Sequence, residues 1–197
     1  MGRVIEIRHP RDSAARGAAT PPRLDLVDVA RGAALAMMLV YHLVWDFEFF
    51  GLIGAGFASS PPMRGFSHAI ASAFLLLAGV SVALAHRGRF KGAAFRKQFA
   101  KVALAAAAVT LATAYAMPQA PITFGILHAM ALGVLLTAVF AKAPWGATLA
   151  LAAAMIALPA FVHSPSFDAP ALQWIGLGPD EPSALDWRPF LPWTGVM

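Results

Sequence analysis

A chain of 197 residues that is 59% hydrophobic and only 13% charged is too apolar for a soluble domain, which would carry about twice that charge. The absence of cysteine excludes a disulfide framework, a thiolate metal site and a cysteine nucleophile. The net charge of +5 is parked between apolar runs rather than spread along a stripe, so it reads as membrane topology and not as nucleic-acid binding.

The fold class that follows is all-α, a polytopic transmembrane helix bundle of five spans plus the start of a sixth. Residues 1–24 carry Arg3, Arg8, Arg11, Arg16 and Arg23 but lack the apolar core of a signal peptide, and read as a disordered basic cytosolic tail. The Pro21-Pro22 pair breaks any helix before the membrane begins. Residues 25–197 form the bundle. A bilayer asks for about 20 apolar residues per helix. Spans are expected near 29–50, 67–86, 98–116, 122–141 and 145–162, with Pro159 bending the end of the fifth. A sixth begins at Pro189 and meets the chain end at Met197, so the sequence reads as C-terminally truncated. Small residues at Gly79, Ser81, Gly125 and Gly133 and in the run 103–108 predict close helix packing.

Orientation comes from the cations. With the tail in the cytosol, 13 of the 15 basic residues share its side, including Arg31, Lys142 and the cluster Arg87, Arg89, Lys91, Arg96, Lys97 and Lys101. Only Arg64 and Arg188 fall outside. Asp168, Asp180, Glu181 and Asp186 sit in the opposite loop. The reading is a multi-pass cell-membrane protein with a cytosolic N-terminus.

Ionisable groups inside hydrocarbon are costly and usually mark a path or a reaction centre. The first span carries Asp28, Arg31, His42, Asp46 and Glu48. Eleven helical steps bring Arg31 and His42 to within roughly 20° of one face, about 16 Å apart along the axis. His68 and His128 are expected in the same outer half of the membrane as His42. Such a set suits acid–base work: a neutral imidazole takes a proton from a hydroxyl or amine near neutral pH. Asp46, one turn on, is expected to orient the ring and stabilise its charged form. Arg31, with Asp28 beside it, offers a planar cation suited to phosphate. A phosphorylated donor with a long arm, such as coenzyme A, has the shape to bridge the two.

The stretch RLDLVDVARGAALAMMLVYHLVWDF resembles the first membrane helix of transmembrane acyltransferases, closest to bacterial members of the heparan-α-glucosaminide N-acetyltransferase-like family. The likeness continues through FLLLAGVSVALA, the basic 87–101 loop, FGILHAMALG and DWRPFLPWTGV, covering most of residues 23–197. Arg, ten residues, His is also the hallmark spacing of the related acyltransferase-3 group. The resemblance implies acyl-CoA at Arg31 and catalysis at His42, with the Asp–x–x–Arg–Gly start matched by Asp28, Arg31 and Gly32. His128 joins the catalytic set as a family-like position. The implied reaction moves an acetyl or other short acyl group from cytosolic acyl-CoA to a sugar amine or hydroxyl on the far side, without a metal. The implied partners are the lipid bilayer, the acyl-CoA and a glycan or other acceptor, with a homo-oligomer compatible and nucleic acid not expected.

Two other classes use similar residues. A proton-coupled solute transporter would employ a His/Asp relay, but no internal repeat is visible. A membrane cytochrome would ligate haem between histidines such as His42 and His128.

Overall fold

The computed structural model describes residues 25–85, 92–140 and 142–197. The tail 1–24 and the cluster members Arg87, Arg89 and Lys91 lie outside them. The helices are α1 (Asp25–Phe49), α2 (Pro61–Ala85), α3 (Gly92–Ala116), α4 (Ile126–Phe140), α5 (Trp145–Phe161) and α6 (Phe190–Trp193). Short 3₁₀ turns occupy Pro165–Asp168, Gln173–Ile175 and Thr194–Val196. Among the described residues there is no strand.

Among the described residues, three helices are long and apolar enough to cross a membrane, and two shorter apolar helices stand where the fourth and fifth spans were expected. Each of α1, α2 and α3 has 25 residues, about 37 Å. The other two have 15 and 17 residues, about 22 and 26 Å, short of a hydrocarbon core of about 30 Å. The second helix starts six residues before its predicted span because Pro61 is tolerated at a first helical position, where its missing N–H has no partner to lose. The fourth starts late. Its predicted first turn is instead held as irregular chain, with the Ile122 N–H donating to Thr113 Oγ1 at 3.0 Å and the Ile122 carbonyl accepting from Thr110 Oγ1 at 2.8 Å. The predicted sixth span is a single helical turn followed by a 3₁₀ turn.

Packing places the helices in the order α1–α2–α4–α3, while α5 meets the bundle through α6 and the turn after it. The first two helices run antiparallel: Arg31 hydrogen-bonds Ser81 at one end of their seam, and the Tyr41 ring meets Phe66, 6.4 Å away, towards the other. Along α1, Ala34 is buried while Leu35, Leu39, Leu43 and Phe47 are exposed at four-residue spacing. That stripe is the face a helix presents to lipid.

Behind the helix row the chain returns. The Met197 carbonyl and sulfur fill the space that a Cβ would need at Gly79 and Gly133, and Gly195 lies against Ala152 and Ile156 of α5. Gly79 and Gly133, predicted to bring helices together, therefore make room for the returning C-terminal segment. Leu75, Phe124 and Ala129 form the core beneath it, with Trp187, Phe190 and Trp193 packed on them.

Candidate functional site

One end of the bundle, where α1 finishes and α2 and α4 begin, opens into a cleft of about 1060 Å³. Tyr41, His42, Ser67, His68, His128 and Arg188 are among its lining residues. The segment between α5 and α6 walls the cleft with Asp168, Asp180, Glu181 and Asp186.

His42 faces this space with a defined tautomer. Its Nδ1 lies 2.9 Å from the Met38 carbonyl, which can only accept, so Nδ1 carries the proton. In the neutral ring the lone pair is then on Nε2, which makes no hydrogen bond among the described residues. Helical side chains lean towards the N-terminus, so the imidazole falls over the turn containing Met38. Asp46 was expected to orient this ring. It makes no hydrogen bond to it, and the backbone carbonyl one turn back fixes the ring instead. Glu48 is also turned away from proton transfer. Its two oxygens accept from the N–H groups of Gly56, at 2.7 Å, and Ala58, at 2.5 Å, and order the loop between α1 and α2.

His128 is engaged at both nitrogens. Its Nδ1 accepts from the Gly125 N–H at 3.2 Å, so Nε2 carries the proton and points to Thr110 Oγ1 at 3.2 Å. The Thr110 hydroxyl donates in turn to the Ile122 carbonyl. This chain ties α3 to the start of α4 and leaves His128 no free lone pair. His68 makes no hydrogen bond among the described residues, and its ring meets the edge of Trp193 at 5.2 Å.

Arg31 lies outside the cleft lining, about 16 Å along α1 from His42. It donates to Asp28 at 2.8 Å and to Ser81 Oγ at 2.5 Å, so it stays on the α1–α2 seam that leads to His42. Its pair with Asp28 is 45% and 57% exposed. An exposed helical pair at this spacing contributes only about 0.2–0.5 kcal/mol.

Two further residues shape the cleft. Asp186 caps α4 by accepting from the Ile126 N–H at 2.7 Å, and Gly125 gives it room. Arg188 donates to Ser67 Oγ at 2.5 Å and to the Trp187 carbonyl at 2.7 Å, and its guanidinium lies 4.8 Å from the centre of the Trp193 ring. The only signal for them in the sequence was the DWRPFLPWTGV stretch. No curated protein and no solved structure matches the chain. The family model described as heparan-alpha-glucosaminide N-acetyltransferase, catalytic, matches residues 23–197, and the chain belongs to this family of membrane acetyltransferases.

Proposed function

We propose that this chain moves an acetyl group from acetyl-CoA to an amine or hydroxyl of a sugar, with His42 as general base. The observation that carries the reading is the His42 ring in the cleft, its Nδ1–H held by Met38 and its Nε2 lone pair uncommitted. In the proposed step Nε2 takes the proton of the acceptor N–H or O–H. The acceptor atom bonds to the thioester carbonyl carbon and the carbon–sulfur bond breaks. The leaving thiolate takes the proton from the imidazolium, which restores the neutral ring. Met38 stabilises the imidazolium through its carbonyl, in place of a carboxylate from Asp46. Arg31, steadied by Asp28, receives a phosphate of the donor at the other end of the seam. His128 serves by holding the start of α4 and not by moving a proton.

Binding and turnover test this together. Acetyl-CoA should raise the melting temperature of the detergent-purified protein, and Arg31→Ala should weaken that rise. A melting temperature unmoved across a wide titration of acetyl-CoA overturns the reading. A Soret band in the purified protein would move the assignment to haem.

A further inference from the structure

The outer face of α3 carries cations that the chain leaves unanswered, at the end of the bundle away from the cleft. Ala106 is the buried residue of this helix, and Thr110 and Thr113 bond to Ile122 from the same side. Lys97 and Lys101 lie nine and five residues before Ala106. At about 100° per residue they fall about 180° and 140° around the helix from it, on the side turned away from α4. Both are exposed, and neither has an ion pair among the described residues. The first turn of α3 holds no acid. Lys97 and Lys101 are also one turn apart, an i,i+4 pair of like charges that works against the helix. Helical side chains lean towards the N-terminus, which brings the Lys101 ammonium up towards Lys97. An anion between the two ammoniums removes the repulsion, and no described carboxylate supplies it.

The same face continues as apolar surface. Leu104, Leu111 and Tyr115 are 70%, 72% and 92% exposed. Ala108, also exposed, leaves the surface between the two leucines shallow. From Lys101 to Leu111 is about 15 Å, half of a hydrocarbon layer of about 30 Å and so the depth of one leaflet. From Lys97 to Tyr115 is about 27 Å, which sets the tyrosine at the opposite interface when the lysines reach the headgroups. We propose that Lys97 and Lys101 hold the phosphate of an anionic phospholipid, whose acyl chains lie along Leu104, Ala108 and Leu111. The face calls for an occupant with a negative head and an apolar tail one leaflet long, and a bilayer lipid has both. A soluble phosphate matches the lysines alone. Arg31, the proposed donor contact, lies on α1, two helices away in the row α1–α2–α4–α3, so lipid and acetyl-CoA occupy separate places.

Native mass spectrometry of the full chain in detergent tests this, with phosphatidylglycerol and phosphatidylcholine of identical acyl chains titrated separately. The wild-type protein should hold phosphatidylglycerol at least about tenfold more tightly, since each cation at a lipid surface contributes a factor of roughly five. Lys97→Gln combined with Lys101→Gln should bring the two lipids to within about twofold, and each single change should leave part of the preference. Both positions are exposed, so melting temperature in detergent and acetyl-CoA affinity should stay the same. Lys142→Gln, which removes an exposed cation between α4 and α5, should leave the preference in place. Equal retention of the two lipids by the wild-type protein overturns the site, as does a preference that survives the double change. A preference that falls as far with Lys142→Gln as with the double change reduces it to diffuse charge and also overturns the site. Loss of acetyl-CoA affinity in the double variant, with lipid retention unchanged, assigns the lysines to the donor and overturns the lipid role.

Discussion

His42 and His128 are the same residue type on two walls of one cleft, and hydrogen bonding separates their roles. The first donates from Nδ1 to a carbonyl and keeps an open lone pair; the second accepts at Nδ1 and donates at Nε2. His42→Gln should therefore lower turnover by roughly 10²–10⁴-fold with little change in melting temperature, measured by acetyl transfer and by thermal unfolding. Asp46→Asn, which touches no part of the imidazole, should lower turnover by less than about tenfold. Thr110→Val should act the other way round. It leaves His128 Nε2 and the Ile122 carbonyl without a partner, so it should cost about 1–3 kcal/mol of stability while leaving His42 in place. The register of Arg31 and His42 could be read from the sequence because both lie on one helix, where periodicity decides the face. The partners of Asp186 and Arg188 could not, since the capped N–H of Ile126 is 60 residues away and Ser67 is 121.

At the scale of the element, α4 shows where periodicity misleads. Its predicted span began at residue 122 because Ile122 and Phe124 are apolar, yet Thr110, Thr113 and Asp186 hold that stretch as irregular chain up to Ile126. Apolar composition marked the segment, and side-chain hydrogen bonds from elsewhere set where the helix begins. Among the small residues expected to pack helices together, Ser81 does meet α1 through Arg31, while two glycines face the C-terminal segment instead. Gly79 and Gly133 face Met197. Gly133→Val should displace the C-terminal segment and cost about 1–3 kcal/mol, read as a lowered melting temperature, and it should be tolerated less well than Gly146→Val, where a Cβ meets nothing.

For the whole molecule, charge is sorted by end. Arg31, Arg96, Lys97 and Lys101 gather where α1 and α3 begin, and Glu48, Asp168, Asp180, Glu181 and Asp186 gather around the cleft. We propose that these cations mark the cytosolic side, which would open the cleft outward. The chain has no cysteine, so single introduced cysteines report this without background. In intact cells Ser59→Cys should react with a membrane-impermeant maleimide and Gln98→Cys should not; the reverse pattern would invert the orientation. The cleft also bites into α1: His42 lies seven residues, about 10 Å, inside the Phe49 end. In the proposed reading, about 16 Å of helix separates guanidinium from imidazole within a hydrocarbon layer of about 30 Å, and an outstretched thioester arm would thread that partition. On the proposed chemistry, an acetyl unit changes compartment by being handed across that septum, with neither donor nor acceptor having to be ferried through the bilayer.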